Sequence, residues 1–303
     1  MPECVIGRAN GVLCPIPKMM EHAMRRTTVL MALVLAATGC STRDTDQAAP
    51  AAAPASTSGP AALKAAIESP ERDTANRARD GFRHPLQTLE FFGVKPDQTV
   101  IEITPSGGWY TEILAPYLDA EGHYIGAVPA AAEGSPAAKR NNAFRDKLVG
   151  TAGSAHASVV ELDAKAPELA AGSADVVLTF RNVHNWVAAG NADAYFRAFF
   201  AALKPGGVLG VVDHRAKPGT TLDKMESSGY LTEALVTKFA TDAGFVLEAS
   251  SEINANPKDT ADHPNGVWTL PPSNSHDAAD DATYQAIGES DRMTLRFRKP
   301  ASP

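Results

Sequence analysis

From Thr99 onward, seven short runs rich in β-branched and apolar residues recur along the chain, with helix-length segments between most of them. This alternation constrains the fold more than any other feature. A parallel strand pair needs a crossover of a dozen or more residues, usually helical, whereas an antiparallel pair can be joined by a tight turn. The runs are Thr99–Thr104, Tyr124–Val128, Ala157–Leu162, Val176–Arg181, Gly207–Asp213, Phe245–Ile253 and Met293–Arg298. They predict an α/β protein with a mostly parallel sheet and helices on both faces. Helices are expected at Pro85–Phe92, Trp109–Tyr117, Ala192–Leu203 and Ser228–Ala243, the last with apolar residues at helical spacing and Gly244 as its stop signal. A charged helical lead-in, 61–94, precedes the first strand. A polar, Pro- and Asp-rich insert, 254–290, separates the last two strands, and an aperiodic stretch of that length is usually functional or disordered.

The N-terminal region has a different character. All three cysteines, Cys4, Cys14 and Cys40, lie in the first forty residues, so the body has no disulfide framework. Arg25 and Arg26 precede an apolar stretch, Val29–Ala37, that is too short to span a bilayer comfortably. The segment resembles a bacterial lipoprotein signal with Ala37, Thr38 and Gly39 as the lipobox before Cys40. That resemblance implies lipidation of Cys40 and export to the periplasmic side of a membrane, Ser41 favouring the outer one. Residues 1–40 are therefore expected to be a signal peptide, with Met20 or Met24 as the biological start. The Ala-, Pro-, Ser- and Thr-rich stretch 41–60 reads as a tether, and 61–303 as the folded domain. A formal net charge of −7 argues against a nucleic-acid partner. The membrane is expected to be met only through the lipid.

The first strand runs directly into a turn and a helix in "VIEITPSGGWYTEI", Val100–Ile113. Such a turn lets backbone N–H groups face a ligand, and glycine permits the positive φ it needs. Here the turn is Thr104-Pro105-Ser106-Gly107-Gly108, entered from Glu102. By themselves these residues read equally well as a tight connection without a ligand.

Two further stretches add context: "ELDAKAPELAAGSADVVLTFRNVHNW" and, after it, "YFRAFFAALKPGGVLGVVDH". Together with the loop they resemble the central part of class I S-adenosylmethionine-dependent methyltransferases. The stretches "RDGFRHPLQTLEFFGVKPDQTVIEITPSGGWYTEILAPYL", "FRNVHNW" and "GESDRMTLRFRKP" resemble a group of predicted methyltransferase-like proteins over roughly 69–300. The resemblance implies a Rossmann-like seven-stranded sheet whose last strand is antiparallel, with S-adenosyl-L-methionine as cofactor and a small-molecule acceptor. It implies donor contacts from Glu102, Thr104, Ser106, Gly107 and Gly108, and from Asp163 and Ala164 after the third strand. Two departures stand out. Thr104 and Ser106 occupy positions where the family has glycines, and "GAVPAAAEG" places no carboxylate at the end of the second strand, Glu133 being displaced by several residues.

In an open α/β sheet, ligands bind beyond the carboxyl ends of the strands. Arg181, Asn182, His184 and Trp186 follow the fourth strand; Asp213 and His214 follow the fifth. Arg181 and Asn182 are expected to contact the cofactor. His184, His214 and Asp213 are the candidate catalytic groups, because imidazole can take a proton near neutral pH. Each histidine could instead satisfy a backbone carbonyl, and that reading leads for His84 and His123. His263 and His276 read as parts of a lid or a solvated loop. No His/Cys cluster has metal-ligand spacing, and Ser106 lacks a nucleophile-elbow context. A non-catalytic envelope protein that keeps the same fold for ligand binding is the alternative function.

Overall fold

The computed structural model describes residues 59–301. The expected signal segment, the lipobox with Cys40 and nearly all of the tether lie outside the described residues. The strands are β1 (Thr99–Ile103), β2 (His123–Pro129), β3 (Ala157–Leu162), β4 (Ala174–Phe180), β5 (Leu203–His214), β6 (Val246–Ser251) and β7 (Arg292–Arg298). They form one sheet in the order β3-β2-β1-β4-β5-β7-β6. Pairings among β1 to β5 are parallel, and β7 is antiparallel to both β5 and β6. This is the topology the resemblance implies. It places β1 beside β4 at the point where the strand order reverses, the crevice where such sheets bind ligands.

Period-two alternation divides the core. Ile101, Ile103, Val177, Leu209 and Val211 join one apolar cluster with Phe196 and Phe199 of helix Ala192–Ala202 and Val236 of helix Glu233–Asp242. Val100, Val176, Leu178, Val208 and Val212 join the other, with Leu89 and Phe92 of helix Pro85–Phe92 and Ile113 and Leu114 of helix Thr111–Leu118. Helices therefore cover both faces. Among the described residues no helix is long and apolar enough to cross a membrane.

Most strand ends shift by one or two residues, and three differences have a structural cause. The single helix expected over Ser228–Ala243 is interrupted: helix Leu222–Ser228 ends at Gly229, which has φ 73°, and Thr232 caps a second helix through its side chain on the Leu235 amide. Between them the backbone of Leu231 donates to His214 and accepts from Ala216, forming a parallel bridge beside Arg215 just past the end of β5. The first-strand helix starts at Thr111 rather than Trp109, because 106–110 form turns. The fifth strand starts at Leu203 instead of Gly207, with a register irregularity opposite Ala174/Val176 that absorbs Lys204 to Gly207. The lead-in is helical as expected, and begins at Gly59.

Candidate active site

The loop after β1 keeps the backbone of a glycine-rich turn despite its side chains. Thr104 (φ 50°), Ser106 (φ 53°) and Gly108 (φ 75°) alternate in the left-handed region. For a β-branched threonine that conformation is strained, on the order of 1–3 kcal/mol, and such residues persist where the surroundings over-determine them. Arg181, at the end of β4, is also left-handed (φ 61°). All three strained side-chain-bearing residues line one cavity of about 390 Å³. Thr104 is half-buried and Ser106 exposed, so neither is packed into the core. The two residues and Gly107 also border a second cavity of about 570 Å³, between the loop, Val128 and Pro129 of β2, and Asn141 and Phe144 of helix Pro136–Gly150. Lys147 spans the turn, donating to the Gly107 carbonyl at 2.9 Å and pairing with Glu112 at 2.6 Å.

Glu102 lies beneath the turn. Its Oε2 accepts from Tyr124 Oη at 2.6 Å and Thr111 Oγ1 at 3.0 Å. Burial raises its carboxyl to about 7, against the opposing effects of those two hydrogen bonds and the charge of Arg83. Asn182 bridges the switch point, its amide donating to the Ile103 carbonyl at 2.9 Å.

On the other side of the 390 Å³ cavity, β4 and β5 deliver a histidine–aspartate pair. Asp213 is fully buried, and its Oδ1 lies 2.9 Å from His184 Nδ1. The same carboxylate accepts from the His184 and His214 backbone amides at 3.3 and 2.7 Å. A carboxylate fixed in this way is acceptor-only, so His184 carries its proton on Nδ1 and presents Nε2 as a base. His214 is engaged at both ring nitrogens: Nδ1 faces Ser290 Oγ at 2.5 Å, and Nε2 faces the Arg181 Nε–H at 3.4 Å. Burial, followed by the charges of Arg181, His184, Arg292 and Arg83, holds His214 well below the ordinary histidine range, so it stays neutral. Ligand atoms of His184, Asp213 and His214 lie within 4.8 Å of one another. His184 Nδ1 and both His214 nitrogens are nonetheless committed to Asp213, Ser290 and Arg181, which leaves only His184 Nε2 free, and a guanidinium against the trio is poor company for a metal cation.

The sequence expectations are brought together unevenly. Glu102, Thr104, Ser106, Gly107, Arg181, Asn182, His184 and His214 all line the smaller cavity, and Asp213 stands directly behind His184. Gly108 is buried within the turn. Asp163 and Ala164 follow β3 as expected but are exposed and border neither cavity. Asp163 accepts from the Lys165 amide and the Ala164 carbonyl from Asn191. Trp186 is not a site residue: it stacks on Tyr195 with ring centroids 4.2 Å apart inside the core. Its place is taken by Trp268 from the polar insert, whose ring meets His184 edge-on at 6.2 Å. Sequence reasoning also missed Glu289, which receives Arg79 Nε at 2.7 Å, Arg83 Nε at 3.2 Å and Arg292 Nη1 at 3.1 Å. Unassisted burial would raise the Glu289 carboxyl, but Arg83, Arg292, Arg79 and Arg181 outweigh it and hold it at about 2.

No protein-family profile matches the chain, and no curated protein matches it in sequence. Solved structures do match its fold. An S-adenosylmethionine-dependent methyltransferase from Aquifex aeolicus aligns over 79% of this chain and 98% of its own, at 14% identity and a TM-score of 0.50. A candidate sarcosine dimethylglycine methyltransferase from Galdieria sulphuraria aligns over 75% and 86% at 13% identity and a TM-score of 0.51. The [4+2]-cyclase SpnF aligns over 78% and 86% at 15% identity and a TM-score of 0.52. The fold is thus that of class I methyltransferases. A cyclase among the similar structures means that the fold by itself does not specify the reaction.

Proposed function

We propose that the protein is an S-adenosylmethionine-dependent methyltransferase acting on a small-molecule acceptor, with His184 as general base. The observation that carries this reading is the meeting of two features in one cavity at the β1/β4 switch point: a turn with alternating left-handed residues, and a buried Asp213–His184 pair. The residues suit an adenosyl donor at the turn, where the backbone of 104–108, Glu102 and Asn182 would hold its amino-acid end. The larger cavity offers Val128, Phe144 and Asn141 to its nucleoside end. With no carboxylate at the end of β2, Asn141, whose Nδ2 donates to the Pro129 carbonyl at 2.7 Å, would offer its Oδ1 to the ribose.

When bound, the donor supplies an electrophilic methyl group. The chain's own contribution is proton handling and shielding. Asp213 Oδ1 accepts from His184 Nδ1–H, which fixes the tautomer and leaves the Nε2 lone pair to take the proton from the acceptor's nucleophile. The imidazolium so formed is stabilised by the Asp213 carboxylate, which is already desolvated and oriented. Trp268 and Val267 border the cavity from the insert and limit access of water. His214, neutral and bonded at both nitrogens, serves to position Arg181.

Calorimetric titration of the full-length protein with S-adenosylhomocysteine tests the donor site. The expected result is saturable heat that is lost in Gly108→Val, because a β-branched side chain at φ 75° is strained and would reshape the turn. Absence of heat at millimolar ligand in the unmodified protein removes the reading. A non-catalytic ligand-binding function is favoured by one observation, the missing β2 carboxylate. It would be supported by co-purification of a ligand that contains no adenosyl group.

A further inference from the structure

The cavity that holds His184 is more cationic than methyl transfer requires. Arg79, Arg83 and Arg181 all border it. Their ion-pair partner is Glu289, which is shared with a fourth arginine, Arg292, while Glu102, the other carboxyl lining the cavity, is pushed up to about 7 by burial and offsets little of their charge. Asp213 is spent on His184 and two backbone amides. Among the described residues the three cavity arginines use only Nε in hydrogen bonds, Arg79 and Arg83 to Glu289 and Arg181 to His214. Their Nη groups, the edge with which guanidinium grips an oxyanion, remain without partners, and Arg79 Nη2 is buried in that condition.

These cations are held in place. Arg83 lies 4.8 Å from the Trp109 ring centroid, and Arg79 and Arg83 are fixed by Glu289. Burial lowers the guanidinium of Arg83 to about 9 and that of Arg181 to about 10, values at which both remain charged near neutral pH. An S-adenosylmethionine molecule carries a sulfonium and an ammonium against one carboxylate, so it adds positive charge to a site already in surplus. The surplus calls for an anion beside it. Arg181 is only three residues before His184, so an anion held there lies next to the base.

We infer that the acceptor carries an oxyanion, a carboxylate or a phosphate monoester, gripped by the Nη groups of Arg79 and Arg181 and so presenting its nucleophile to His184. Phe180, Tyr110 and Trp268 line the same cavity with aromatic carbon, which suits an aromatic or otherwise apolar body for this anion. The inference deepens the proposed methyltransferase reading and rests on it for the word acceptor.

The test is binding rather than turnover. Benzoate, phenyl phosphate and uncharged benzamide are titrated into the full-length protein by calorimetry. S-adenosylhomocysteine and methylthioadenosine, which lacks the amino-acid carboxylate, are titrated separately. At least one of the two oxyanions is expected to bind about tenfold or more tightly than benzamide, and Arg181→Gln and Arg79→Gln are each expected to remove about tenfold of that affinity, whereas Arg181→Lys removes less. Preference between benzoate and phenyl phosphate identifies the source of the anion. Equal binding of benzamide, or oxyanion binding indifferent to both glutamine variants, overturns the inference. So does a loss in Arg181→Gln that affects S-adenosylhomocysteine but neither methylthioadenosine nor the oxyanions, since the arginines would then serve the donor's own carboxylate. Because the unmodified protein already gives the comparison with benzamide, a poorly folded variant leaves the test intact. Donor binding without oxyanion binding sinks this inference alone; oxyanion binding without donor binding sinks the methyltransferase reading alone.

Discussion

Glu102 is a carboxyl placed where its charged form is disfavoured, and that has a measurable signature. In the unfolded chain it titrates near 4.5, in the folded protein near 7. Between those values the unfolded state releases the proton while the folded state keeps it. Stability therefore falls as pH rises through this window, by up to about 3 kcal/mol once both forms are ionised. Glu289 works in the opposite sense and elsewhere: its depressed value contributes stability that is lost as pH falls from 4.5 toward 2. In urea unfolding from pH 4.5 to 8, Glu102→Gln is expected to remove much of the decline between 4.5 and 7 and to exceed the unmodified protein in stability at pH 8. The amide oxygen can still accept from Tyr124 and Thr111. An unchanged pH profile would show that Glu102 is not buried as described. The glutamate was legible in the sequence, since it ends a strand before a glycine-containing turn. Its neutral tendency was not, because that comes from burial beneath the folded turn, which outweighs the hydrogen bonds from Tyr124 and Thr111.

At the scale of elements, legibility followed periodicity. The strands and most helices announced themselves through two- and 3.6-residue patterns, and the strand ends located His184, Asp213 and His214 because a parallel sheet brings its carboxyl ends together. The insert 254–290 has no such pattern, so Trp268 could not be assigned, and nothing in the charged lead-in showed which groups its arginines pair with. What fixes them is distant in sequence: Glu289 binds Arg79 and Arg83 from about 210 positions away. The insert itself docks through Gly266 (φ 56°), where an added Cβ would lie 2.2 Å from the Ser228 carbonyl oxygen. Gly266→Ala is thus expected to destabilise the fold by about 2–4 kcal/mol through backbone strain and overpacking. Limited proteolysis should then cut first within 254–290. Cleavage elsewhere first, with an unshifted unfolding midpoint, would contradict this packing.

For the whole molecule, the seven-stranded, mostly parallel sheet with an antiparallel last strand that the resemblance implies is the one observed, and its order puts β1 at the switch point. The proposed lipid attachment belongs to this scale as well: palmitate labelling in a bacterial host is expected to mark the full chain and to vanish in Cys40→Ala, and labelling that survives the change would refute it. The account depends most on what the turn after β1 holds. A crystal of the full-length protein soaked with S-adenosylhomocysteine measures that directly. The expected result is ligand density along 104–108, with the nucleoside in the cavity beside Asn141 and the sulfur toward the His184 side. Density elsewhere, or a turn whose hollow is closed by the Thr104 and Ser106 side chains at saturating ligand, would contradict it.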